Sequence, residues 1–248
     1  MNTVVRSPIH PFQAAVGFWS ATVLTLLLMA LNIAFAIMAV RVPAGAWQGM
    51  EDYASSYQVI AFVPQTIGLF TIPAWLLMLV SLHFYADEQR KIWSLTGLLF
   101  GMAYGTLLGA LYFTQVAVIL PALTAGTWHE LEQFTFANPR SVAWGLNHFA
   151  WSLLGVALSL VAWSFGDNRL ERWLRYLFLL NGLANLLLIP AYAWEIEWLT
   201  LGIAFVSWVV ALPAASVMVA ILFRKHSVSA NGDVQQVRFS RRSFREES

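Results

Sequence analysis

His148 and Glu195 are the two residues of this chain that most call for a chemical explanation. His148 sits inside a long uncharged window and Glu195 at the edge of another. A neutral imidazole beside a carboxylate can orient a ligand or move a proton. Ser152 lies one helical turn from His148 on the same face and is the nearest candidate nucleophile. This trio defines an acid–base, hydrolase-like enzyme as one reading of the chain. Other polar side chains fall at a similar depth: Asn32, Gln65, Tyr112, Gln115 and Tyr192. With His148 and Glu195 they predict a polar, outward-facing pocket that binds, senses or passes a small, partly apolar ligand or lipid. Taken singly, each also reads as an interhelix hydrogen-bonding group contributing about 0.6 kcal/mol.

Several sharper chemistries fail on residue type or spacing. There is no cysteine, so disulfides and thiolate sites are absent. The only two lysines, Lys91 and Lys225, lie in charged flanks, where they cannot carry an embedded Schiff base. His83 and His148 belong to opposite ends of their helices and cannot share a haem iron. His129-Glu130-Leu131-Glu132 lacks the second histidine of a zinc motif and reads as the start of a short interfacial helix. No acidic residue occupies the centre of a span, which argues against a carboxylate-driven pump. No cofactor, metal or nucleic-acid partner is expected.

Packing is the other signal. Gly97, Gly101, Gly105 and Gly109 recur at i, i+4 in helix three, and small residues so spaced let helix backbones approach closely in lipid. This stripe makes helix three the central helix, or else the face of an accessory subunit that packs on a partner. His148, Ser152, Gly155 and Ser159 form a comparable stripe on helix four. Helix two opens with Pro64-Gln65-Thr66-Ile67-Gly68 and adds Pro73, so its outer half is expected to be kinked or locally unwound.

The elements that must position these residues follow from composition. Of 248 residues, 59% are hydrophobic and 11% charged, against about 25% charged in soluble domains. An ordinary cytosolic enzyme, a disordered protein and a nucleic-acid-binding module are all excluded. A spanning helix needs about 20 mainly apolar residues. Windows of that kind predict an all-α, polytopic bundle of six transmembrane helices near 13–40, 58–84, 93–121, 143–166, 173–196 and 199–223. Residues 1–12 form a short arm, 13–223 the membrane domain and 224–248 a basic tail. The tail is expected to be disordered in isolation and able to hold anionic lipid headgroups.

Twelve of the fourteen Lys and Arg residues fall in the arm, the 2–3 and 4–5 turns and the tail, leaving Arg41 and Arg140 for the opposite side. The positive-inside rule then puts both termini in the cytoplasm. Trp47, Trp128, Trp144, Trp194 and Trp198 are expected at the outer interface and Trp93, Trp163 and Trp173 at the inner one. Trp75, Trp151 and Trp208 fall deeper, as packing residues or pocket walls.

The block Leu82–Pro121, with NPRSVAWGL at 138–146 and NRLERWLRYLFLLNG at 168–182, resembles a group of uncharacterised bacterial multi-helix membrane proteins. The resemblance implies the cytoplasmic (inner) membrane of a bacterium and brings no site residue with it. Oligomeric state is left open by the sequence.

Overall fold

Six helices long and apolar enough to cross a membrane account for most of the chain in a computed structural model, which describes residues 10–42 and 47–226. They are α1 (Pro11–Arg41), α2 (Val59–Tyr85), α3 (Glu88–Ala125), α4 (Val142–Ser164), α5 (Arg169–Ala193) and α6 (Glu197–His226). Most of the N-terminal arm and of the tail, including its expected hold on anionic lipid, lies outside the described residues.

Local chemistry explains several helix boundaries. Pro11 occupies the first position of α1, and His10 and Gln13 close a capping box around it. The Ser141 hydroxyl caps α4 by accepting from the Trp144 N–H at 3.2 Å. Asn168 accepts from the Glu171 N–H at 3.0 Å, and the buried Glu171 carboxylate returns to Asn168 Nδ2 and the Gly166 N–H. Helix five therefore begins at Arg169, four residues before its expected start, and Arg169, Arg172 and Arg175 ride on its first turns instead of lying in a loop. The signal, Asn-x-x-Glu ahead of an apolar run, is present in the sequence.

Two further expectations are narrowed or changed. Of the alternatives for helix two, kinked or unwound, the second does not apply: a 3-10 turn at Val59–Phe62 leads into α-helix over Val63–Tyr85, with Pro73 inside it. Pro64 falls in the first turn, where its missing N–H has no helical partner to lose. The segment 129–132 is not a helix start. Glu130 adopts φ 70°, and a single 3-10 turn follows at Glu132–Phe134.

Each helix packs on the next in chain order, and α6 returns to α1. Neighbours run antiparallel. Gly17 faces Phe223, Thr25 Oγ1 donates to Ser216 Oγ at 2.8 Å, and Asn32 Nδ2 reaches the Trp208 carbonyl at 3.2 Å. The ends of α1 and α6 thus lie at the same end of the bundle. The 2–3 and 4–5 turns meet there, since Arg90 and Arg175 both donate to the Phe165 carbonyl.

Large apolar side chains cover the outside as well as the core. Leu26, Phe70, Leu99, Leu183 and Phe205 are all exposed, as expected of helices bathed in hydrocarbon. The glycine stripe of α3 faces inward and is divided between two neighbours. Gly97 lies against Ala157 and Val161 of α4, whereas Gly101, Gly105 and Gly109 lie against Leu79, Leu76 and Ile72 of α2. Gly97, Gly101 and Gly105 are buried against the chain's own helices.

Candidate functional site

A cavity of about 300 Å³ lies at the end of the bundle opposite Arg90 and Arg175, among α1, α2, α3, α4 and α6. Two departures from regular α-helix border it. The π-helical segment Gln115–Ile119 begins with a lining residue, and the π-helical segment Ala204–Ala211 contains another, Trp208. Extra residues of this kind in a helix re-aim side chains and recur at functional sites.

Four of the seven residues singled out in the sequence line this cavity: Asn32, Gln65, Tyr112 and Gln115. Gln115 is buried and fully engaged. Its Nε2 donates to the Phe134 carbonyl at 2.6 Å and its Oε1 accepts from the Phe136 N–H at 3.0 Å. It thereby fixes the loop whose Phe136 and Ala137 close one wall. The Asn32 carboxamide holds the Trp208 carbonyl from the other side.

His148, Tyr192 and Glu195 do not line the cavity. His148 Nδ1 meets the Trp144 carbonyl at 2.8 Å, and its ring stacks on Tyr192 at 4.6 Å. The Tyr192 hydroxyl donates to the Ser141 carbonyl at 3.3 Å. Glu195 adopts φ 54° in the 5–6 turn, where its 66% exposed side chain pairs with Arg140 at 3.1 Å. The Ser152 hydroxyl is bonded to the carbonyls of His148 and Asn185, at 2.9 and 3.0 Å, and not to the imidazole. The stripe His148–Ser159 is the contact face of α4 on α5.

The residue missed by that stripe is Asn147, which lines the cavity and is 4% exposed. A signal was available: Trp144, Asn147 and Trp151 recur at i, i+3, i+7, a second face of the same helix. Trp144 accordingly points inward, its indole N–H donating to the Phe136 carbonyl at 2.8 Å, instead of marking the interface.

A buried network holds the floor. Trp208 Nε1 donates to Asn185 Oδ1 at 3.2 Å, and Asn185 Nδ2 donates to Ser207 Oγ at 2.8 Å. Ser207 in turn donates to Asn181 Oδ1 at 2.6 Å. The Trp208 ring lies 4.5 Å from that of Trp151, so α5 fixes from behind the aromatic pair at the floor. Among the described residues no three of His, Asp and Glu come together as a metal site would require.

The roof is the short helix Met50–Ser56, which contributes Tyr53. Burial, and secondarily the neighbouring Tyr57, pushes the Tyr53 phenol up to about 12. A phenol whose folded pKa is raised contributes stability fully present below its unfolded value, near 10, and lost as pH rises through about 12. The unfolding midpoint of the wild type is therefore expected to fall more steeply between pH 10 and 12 than that of Tyr53→Phe. Parallel profiles would show that this phenol is not held in the roof.

No family model, curated protein or solved structure matches the chain.

Proposed function

We propose that this chain is a multi-pass protein of the bacterial cytoplasmic membrane, with both termini in the cytoplasm. Its outward-facing cavity binds, senses or passes a small, partly apolar molecule or a lipid. The observation that carries this reading is the cavity itself. Five helices converge on one preformed space, bordered by two π-helical segments and braced by hydrogen bonds from Gln115, Asn32 and Asn185. A volume near 300 Å³ is at the lower end of small-molecule pockets. Support for the orientation comes from the basic residues gathered at the end opposite the cavity, since Lys and Arg collect on the cytoplasmic side.

The cysteine-free chain makes the test direct. Single variants Ser55→Cys, Gln65→Cys and Glu88→Cys are to be treated in spheroplasts with a membrane-impermeant maleimide. Ser55→Cys and Gln65→Cys are expected to label, while Glu88→Cys labels only after lysis. Labelling of Glu88→Cys alone would invert the topology, and a Gln65→Cys that stayed unlabelled even after lysis would remove the outer opening.

A further inference from the structure

The cavity holds two carboxamides that the fold does not use, and they define what it is built to receive. Gln65 Oε1 on α2 and Asn147 Oδ1 on α4 are both buried without a hydrogen-bond partner. Asn32 and Gln115, in the same cavity, are tied to backbone groups. Buried polar groups in native structures are nearly always paired, so two orphans on residues that line one cavity call for an explanation. Both orphans are amide oxygens, which accept. The missing partner therefore donates, through hydroxyl groups at two edges, one toward each helix.

Charge and shape narrow it further. Among the described residues no Asp, Glu, Lys, Arg or His lines the cavity, so an ionised ligand would be buried there without a counter-charge, at heavy cost. Aromatic side chains make up much of the lining, among them Phe62, Tyr112, Trp144, Trp151 and Trp208. Such surfaces favour a flat apolar body that stacks. The volume is twice the ~150 Å³ that accommodates benzene in an apolar protein cavity. It has room for a substituted ring.

Resting on the cavity reading above, we infer that the site takes a neutral aromatic ring bearing two hydroxyl groups, held between Gln65 and Asn147. This is the chemistry of a dihydroxybenzene, the quinol headgroup included. The same headgroup is available free in water or on a hydrophobic tail within the bilayer.

The test uses the full chain in detergent micelles and compares the wild type with Gln65→Leu/Asn147→Leu by isothermal titration. Hydroquinone, p-xylene and a decyl-substituted hydroquinone are the probes. Titration of each probe into protein-free micelles measures partition into the micelle and is subtracted. Circular dichroism confirms that the variant is folded. Hydroquinone is expected to bind the wild type about tenfold or more tightly than the variant, whereas p-xylene binds both alike. A wild-type preference for the decyl compound alone would identify a bilayer-borne headgroup and would also support the inference. If both oxygenated probes show the same ratio between the two proteins as p-xylene, the assignment of ligand class is overturned while the cavity reading stands. If no probe, p-xylene included, binds beyond micelle partition, the cavity reading falls with it.

Discussion

Asn147→Leu is expected to stabilise the ligand-free protein by about 1–3 kcal/mol, the usual cost of leaving a buried polar group unpaired. The sign is the informative part. A buried Asn that served the fold would lose hydrogen bonds on replacement and destabilise it. Asn147 Oδ1 has no partner to lose, and leucine offers similar volume with no group to desolvate. Proteins accept such costs where a site must be ready for something else. The measurement is the unfolding midpoint in one detergent, with Asn185→Leu as the contrast. Asn185 is bonded to Asn181, Ser207 and Trp208, so its replacement is expected to destabilise strongly. If Asn147→Leu lowered the midpoint as Asn185→Leu does, the orphan would be a packing residue and the ligand inference would lose its footing.

The second large effect is expected where α4 and α5 touch. A Cβ placed on Gly182 would stand 2.7 Å from the Gly155 carbonyl oxygen, and one on Gly155 would stand equally close to that of Gly182. Both obstacles are backbone atoms, which cannot rotate aside, so the helices must separate. Gly182→Ala is therefore expected to cost about 1–3 kcal/mol by overpacking. It should also weaken the bond from Ser152 to the Asn185 carbonyl, and with it the support behind Trp208. At Gly109, by contrast, an added Cβ would meet only the Ile72 Cδ1 atom at 3.3 Å, the end of a flexible side chain. Gly109→Ala is expected to be nearly neutral, and equal losses of thermal stability at the two positions would contradict this account. The regular stripe on α3 is thus the more visible glycine pattern, while the tighter backbone contact is made by a pair far apart in sequence.

That contrast marks what can be read from one dimension and what cannot. Six spans are legible because hydrocarbon requires long uncharged runs, a property of each segment alone. The capping signals around Pro11, Ser141 and Asn168 are likewise local. Polar residues at one depth, Asn32, Gln65, Tyr112 and Gln115, are legible as a group because depth follows from position along a span.

Which way each of them turns is another matter. A residue at a given depth can face lipid, a neighbouring helix or the interior, and rotation about the helix axis is set by contacts between helices that sequence periodicity only partly encodes. His148 and Asn147 are adjacent in sequence and about 100° apart around α4. The tertiary packing puts the first against α5 and Tyr192 and the second into the cavity. Glu195 is drawn away by Arg140, a partner 55 residues distant. The order of apolar and charged residues along the chain determined that it is helical, with six segments long and apolar enough to cross a membrane. Only the packing of the six helices decided that its cavity is uncharged, ring-walled and lined by two unpaired amides, because a cavity is a space between segments and belongs to none of them.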